Sequence, residues 1–112
     1  MSRRTQIALG GIIASAILLS LAVINGFWAI LSGLRGPLIA SLLYFIVFIL
    51  CFFKRHFKAG LIAAAFGFGI HLAELCFQNI SELQDIQKLF FVVNLILPLP
   101  LALMSYLASS EA

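Results

Sequence analysis

The sequence is poor in charge. Of its 112 residues, seven are Lys or Arg and four are Asp or Glu, 10% in all, where a soluble domain carries about 25%. So few charges cannot clothe a water-facing surface, and 63% of the residues are hydrophobic. The expected fold class is therefore all-α, a polytopic membrane protein whose length is used up by its spans. Cysteine is nearly as scarce. Cys51 and Cys76 are placed at depths that differ by about 20 Å at the helical rise. A disulfide needs Cα atoms within about 7 Å, so neither a bridge nor a redox thiol pair is expected.

Catalytic signatures are missing too. There is no G-x-S-x-G, no Walker loop, no H-E-x-x-H and no C-x-x-C. Gly67-Phe68-Gly69 has no strand before it and no Lys after it, so it reads as a small-residue contact and not as a phosphate loop. No enzymatic activity is expected. The net charge is +3, but the basic residues sit at segment ends. There they act as topology signals and lipid contacts, and no basic-plus-aromatic patch for nucleic acid is present.

What remains is a succession of apolar segments, at about 7–34, 37–53, 59–79 and 88–107. They predict four transmembrane helices in a compact antiparallel bundle, one domain over 1–112. The opening Met1-Ser2-Arg3-Arg4 and its apolar run resemble a signal peptide, but the run is far longer than an h-region of about 7–15 residues. It is expected to be a retained first helix. That helix carries small residues along one face, Gly11, Ser15, Ala22, Asn25, Gly26, Ala29 and Gly33, interrupted by Leu18, a pattern that lets another helix approach closely in lipid. Arg35-Gly36-Pro37 is expected to form the first turn. The second helix is bulky all round from Tyr44 to Phe53, and Ser81 to Asp85 is expected to form a short interfacial turn. Pro98 and Pro100 are expected to kink the fourth.

Arg3, Arg4, Lys54, Arg55 and Lys58 lie on one side of this arrangement, and Arg35 and Lys88 on the other. That imbalance predicts both termini in the cytoplasm and a multi-pass protein of the cell's inner membrane.

Lys58 to Lys88 is the stretch that carries unusual polarity. Gly60, Ala64, Gly67, His71, Glu74 and Gln78 follow a helical progression along one face. From residue 59, His71 lies about 18 Å along the helix and Glu74 about 22 Å. Asn25, Ser41, Tyr44 and Asn94 reach the same outer half from the other helices, while the inner half is expected to be nearly pure Leu, Ile, Phe and Ala. The candidate site is thus an outer-half polar cluster of His71, Glu74, Asn25, Asn94, Tyr44 and Ser41.

An ionisable group at the centre of a membrane helix costs roughly 2.5–3.5 kcal/mol on insertion scales, so Glu74 should face the bundle, with His71 one turn away as its partner. Three readings stand open: a proton or cation site, a polar plug that fixes helix register, or a Glu74 that reaches out to the interface. One His and one Glu do not complete a zinc shell. The second histidine, His56, lies in the basic connection, which disfavours a haem held by two histidines of one chain. No cofactor and no metal are expected.

In size and span count the chain is similar to the small multidrug resistance transporters. Those carry a membrane-embedded glutamate in their first helix, and the first helix here has no acidic residue, so the family is not assigned. The leading expectation is a non-enzymatic accessory or interaction subunit of a membrane complex, in contact with lipid and with a protein partner or a second copy through small-residue helix faces. The alternative is an oligomeric proton-linked transporter or channel using His71 and Glu74. A weaker alternative is a binder of quinone, haem or lipid.

Overall fold

A computed structural model describes residues 2–33, 35–77 and 84–109. Among them there is no strand. Helix α1 spans Arg3–Ser32, α2 Arg35–Lys54, α3 Lys58–Cys76, α4 Asp85–Ile96 and α5 Pro98–Ser109. The last two are halves of one apolar rod. Four helical units, Arg3–Ser32, Arg35–Lys54, Lys58–Cys76 and Asp85–Ser109, are therefore long and apolar enough to cross a membrane.

The first and last of these rods begin well before the apolar pattern does, because a helix starts where its first N–H groups find acceptors. Ser2 is extended, and its hydroxyl accepts the Thr5 N–H at 3.2 Å. That cap, worth about 1 kcal/mol, draws Arg3, Arg4 and Thr5 into α1. Gln84 and Gln87 cap α4 reciprocally, so Asp85 to Gln87 is helical where a loop and turn were expected. Gln78 and the Ser81 to Leu83 part of that turn lie outside the described residues.

The first connection also differs from expectation. Gly33 ends α1 in the left-handed region, φ +69°, with its N–H on the Ala29 carbonyl at 2.8 Å. A residue with a Cβ is disfavoured at that angle, so Gly33 is a helix stop and not part of the packing stripe. Arg35, Gly36 and Pro37 then form the first turn of α2. Pro37 is tolerated there because its missing N–H would have had no helical partner.

At the other end of α2, Arg55 takes φ +57°. Its N–H reaches the Cys51 carbonyl at 3.1 Å and that of His56 reaches Leu50 at 3.2 Å. This reversal swings Phe57 into the bundle against Gly11, with the Arg55 guanidinium 5.6 Å from its ring centre.

Where a kink was expected near Pro98, the helix is interrupted at Leu97 alone. That residue keeps helical angles, φ −59° and ψ −33°. It donates to Val93 at 2.9 Å and accepts from Leu101 at 3.1 Å. Pro98 and Pro100 have no N–H to donate, so two donors are missing from the helical ladder here.

Neighbouring rods run antiparallel, as their touching residues show. Ser41 of α2 meets Ala22 and Gly26 of α1. Tyr44 and Cys51 of α2 meet Gly67 and Gly60 of α3, and Gly60 also faces Ser105 of α5. Gly10 of α1 meets Met104 and Leu107 of α5, which closes the ring. The main core is made of Ala14, Leu18, Leu21, Ala40, Tyr44 and Leu101 with their neighbours. A smaller one, Phe90 and Phe91 with Ile24, Trp28 and Leu75, fills the end away from the termini. Outside, Ile12, Phe27, Ile30, Phe45, Phe52 and Phe53 are exposed.

Candidate functional site

Asn25, Asn94, His71 and Tyr44 are fully buried, and Ser41 is half-buried. The face of α3 predicted to turn inward does so, with Gly60, Ala64, Gly67 and His71 buried. Glu74 is at its edge, with 22% of its side chain exposed.

These residues were expected as one cluster, and the structure brings them together in smaller sets. The Asn25 amide donates to Asn94 Oδ1 at 2.7 Å and to the Leu21 carbonyl at 2.8 Å. Asn94 in turn donates to the Phe90 carbonyl at 2.9 Å. Ser41 donates to the Ala22 carbonyl at 2.7 Å and so ties α2 to α1. Tyr44 lies a turn nearer the termini, its hydroxyl over Gly67, where a Cβ would collide with it. Asn25, Asn94 and Ser41 place their donors on nearby carbonyls, the Tyr44 hydroxyl and Asn25 Oδ1 have no hydrogen-bond partner, and a shared network does not form.

His71 and Glu74 make the second pair, with Nδ1 to Oε1 at 3.4 Å. The two groups are in electrostatic contact, but the geometry is not that of a hydrogen bond, and neither ring nitrogen nor Oε1 has a hydrogen-bond partner. The imidazole is walled by aromatic rings instead. Phe90 meets it edge-on at 5.3 Å between centroids, and Phe91 at 6.4 Å. Phe90 also stacks on Trp28 at 4.7 Å, so one side chain of α4 touches both the buried histidine and the tryptophan of α1. Beyond it, α1 and α4 enclose an apolar groove of ≈ 390 Å³ lined by Trp28, Phe90, Val23, Phe27 and their neighbours.

The Glu74 carboxyl packs against Gly36 in the first turn of α2, a position where any Cβ would strike it. Here the four free N–H positions of a helix start and the positive end of its dipole favour a negative group.

Comparison with protein-family models, with curated proteins and with solved structures finds no match. The chemistry of the site is therefore read from its own atoms. An imidazole beside a carboxyl can hold a proton between them. No group of three or more His, Cys, Asp or Glu is assembled among the described residues. Cys51 is buried, with its thiol 3.6 Å from the His56 carbonyl, and Cys76 is exposed near the end of α3.

The other half of the bundle is less purely apolar than expected. Ser15 and Ser105 are buried there, and the Ser105 hydroxyl lies over Gly60 without a hydrogen-bond partner. The signal that could have found Ser105 is the glycine itself: Gly60 leaves room for a side chain from the facing helix.

Proposed function

We propose that this chain is a multi-pass membrane protein that works without catalysis, as an accessory or interaction subunit of a membrane complex. In this reading the four rods cross the inner membrane, with both termini and the Lys54 to Lys58 connection on the cytoplasmic side. That places five of the seven Lys and Arg residues inside.

One observation supports the reading above the rest. Ala65, Gly69 and Ala73, four residues apart, lie exposed on the outward side of α3. With Phe66 and Ile70 they line a shallow groove, and a Cβ added at Gly69 would meet nothing within 4 Å. Small residues are also exposed on α1, at Ala8, Ala16 and Ser20, but there they are interleaved with Ile12 and Leu19. Among lipid tails no hydrophobic force drives helices together, and close approach along small residues is what favours association. The occupant this face suits is an apolar membrane helix of a partner subunit.

The test is gentle detergent extraction of the tagged full chain, comparing native sequence with Gly69→Leu. A stoichiometric membrane polypeptide that co-purifies with the native chain and is lost from Gly69→Leu supports the proposal. A second copy in its place corrects the partner. Co-purification unaffected by Gly69→Leu, or flux or turnover by the purified chain alone in liposomes, overturns it.

A further inference from the structure

His71 is an odd residue to bury where it is. A polar plug that fixes helix register makes hydrogen bonds across helices, as Asn25 and Asn94 do at 2.7 Å. His71 makes none from either nitrogen, although it is fully buried. An imidazole always carries at least one N–H, and leaving a buried donor unpaired costs about 1–3 kcal/mol. An apolar side chain would fill the same space without that cost.

The imidazole does have a carboxyl at its Nδ1, 3.4 Å away, and that carboxyl is partly exposed. Gly36 leaves room for the carboxyl at the head of α2, where negative charge is favoured. On the other side Phe90 closes the imidazole off from the α1–α4 groove.

We propose that His71 and Glu74 form a proton-exchange site: a buried base, served by a carboxyl that reaches the bundle's edge, and shut on the groove side by Phe90. The Glu74 carboxylate takes a proton from a hydronium ion, which is left as water, and passes it as the acid O–H to an imidazole nitrogen. This leaves a carboxylate beside an imidazolium. The pair gains one proton, and no other bond changes.

Among the described residues, Glu74 is the charged group in contact with His71. From α4, Phe90 and Phe91 face the ring, while Asp85 and Lys88 are exposed nearer its start. From α2 come Tyr44, whose hydroxyl lies at Gly67, and Arg35, which is exposed and makes no ion pair with Glu74 among the described residues. From α1 come Asn25 and Trp28, both uncharged. The site uses the inward side of α3 and stands apart from the association proposed for the outward side.

The experiment is nitrogen NMR of the full chain, ¹⁵N-labelled at histidine and held in lipid nanodiscs, between about pH 5 and 9. There are two histidines, and His56→Gln assigns the exposed one. The chain has one tryptophan, Trp28, and its fluorescence gives a second readout through the Phe90 stack. The expected result is a single protonation step at His71 that Trp28 fluorescence follows. In Glu74→Gln the proton is bound more weakly by about tenfold or more, since an adjacent opposite charge favours the charged imidazole. A His71 signal that does not change across the range overturns the proposal, as does a protonation step indifferent to Glu74→Gln. If that variant fails to fold, the native titration decides alone.

Discussion

Asn25 of α1 and Asn94 of α4 meet amide to amide at 2.7 Å, both fully buried. Each also donates to the carbonyl four residues before it, Leu21 and Phe90. The pair is a hydrogen bond that joins the first rod to the first half of the last. Interhelical hydrogen bonds in membrane bundles contribute about 0.6–2 kcal/mol. Asn25→Leu should therefore lower unfolding free energy in detergent micelles by about 1–2 kcal/mol, since it leaves Asn94 Oδ1 without its donor. The double variant Asn25→Leu with Asn94→Leu should lose less than the sum of the two single losses.

Gly67 and Gly69 are two residues apart on one helix and should respond in opposite ways. A Cβ at Gly67 collides with the Tyr44 ring and hydroxyl, and one at Gly69 touches nothing. Overpacking of this kind costs about 1–3 kcal/mol, so Gly67→Ala should destabilise the bundle and Tyr44→Leu should restore part of the loss. Gly69→Ala should be neutral or stabilising by up to about 1 kcal/mol, the helix preference of Ala over Gly. Thermal unfolding followed by circular dichroism separates the two.

Gly36→Ala should act on the proton site more than on stability. The atoms its Cβ meets are those of the Glu74 carboxyl, the far end of a flexible side chain that can swing aside. Stability should change by less than about 1 kcal/mol, as is usual away from packed features. The displaced carboxyl should weaken proton uptake at His71, measured by the same nitrogen spectra, in the direction of Glu74→Gln.

The cysteines report both packing and topology. Cys51 is buried between α2 and α3, while Cys76 is exposed near the end of α3 away from the termini. The folded chain should take up one maleimide, at Cys76, and a second only when denatured. A membrane-impermeant reagent should reach Cys76 from the side opposite the termini. Labelling from the terminal side would contradict the proposed orientation.

Much of the helical layout was legible from residue type. The inward side of α3 was readable from the helical spacing of Gly60, Ala64, Gly67 and His71, because a small or polar residue recurring every three to four positions can only mark one side. Gly33 was not readable in the same way. A glycine at the end of a small-residue stripe looks like another member of it, and only φ +69° shows it to be a stop. Likewise Arg35-Gly36-Pro37 carries turn-forming residues, but the chain had already reversed before it.

The candidate site divides along the same line. Composition and spacing determined that apolar rods would form, since long apolar runs without turn residues favour helices, and that His71 and Glu74 would be one turn apart. Spacing along one helix contains nothing about distances between helices. That Asn25 finds Asn94 and not His71, that Gly36 makes room for Glu74, and that Phe90 stands between the imidazole and the outer groove were decided only when the rods packed. Those contacts depend on the volumes of side chains from different rods fitting together at close range.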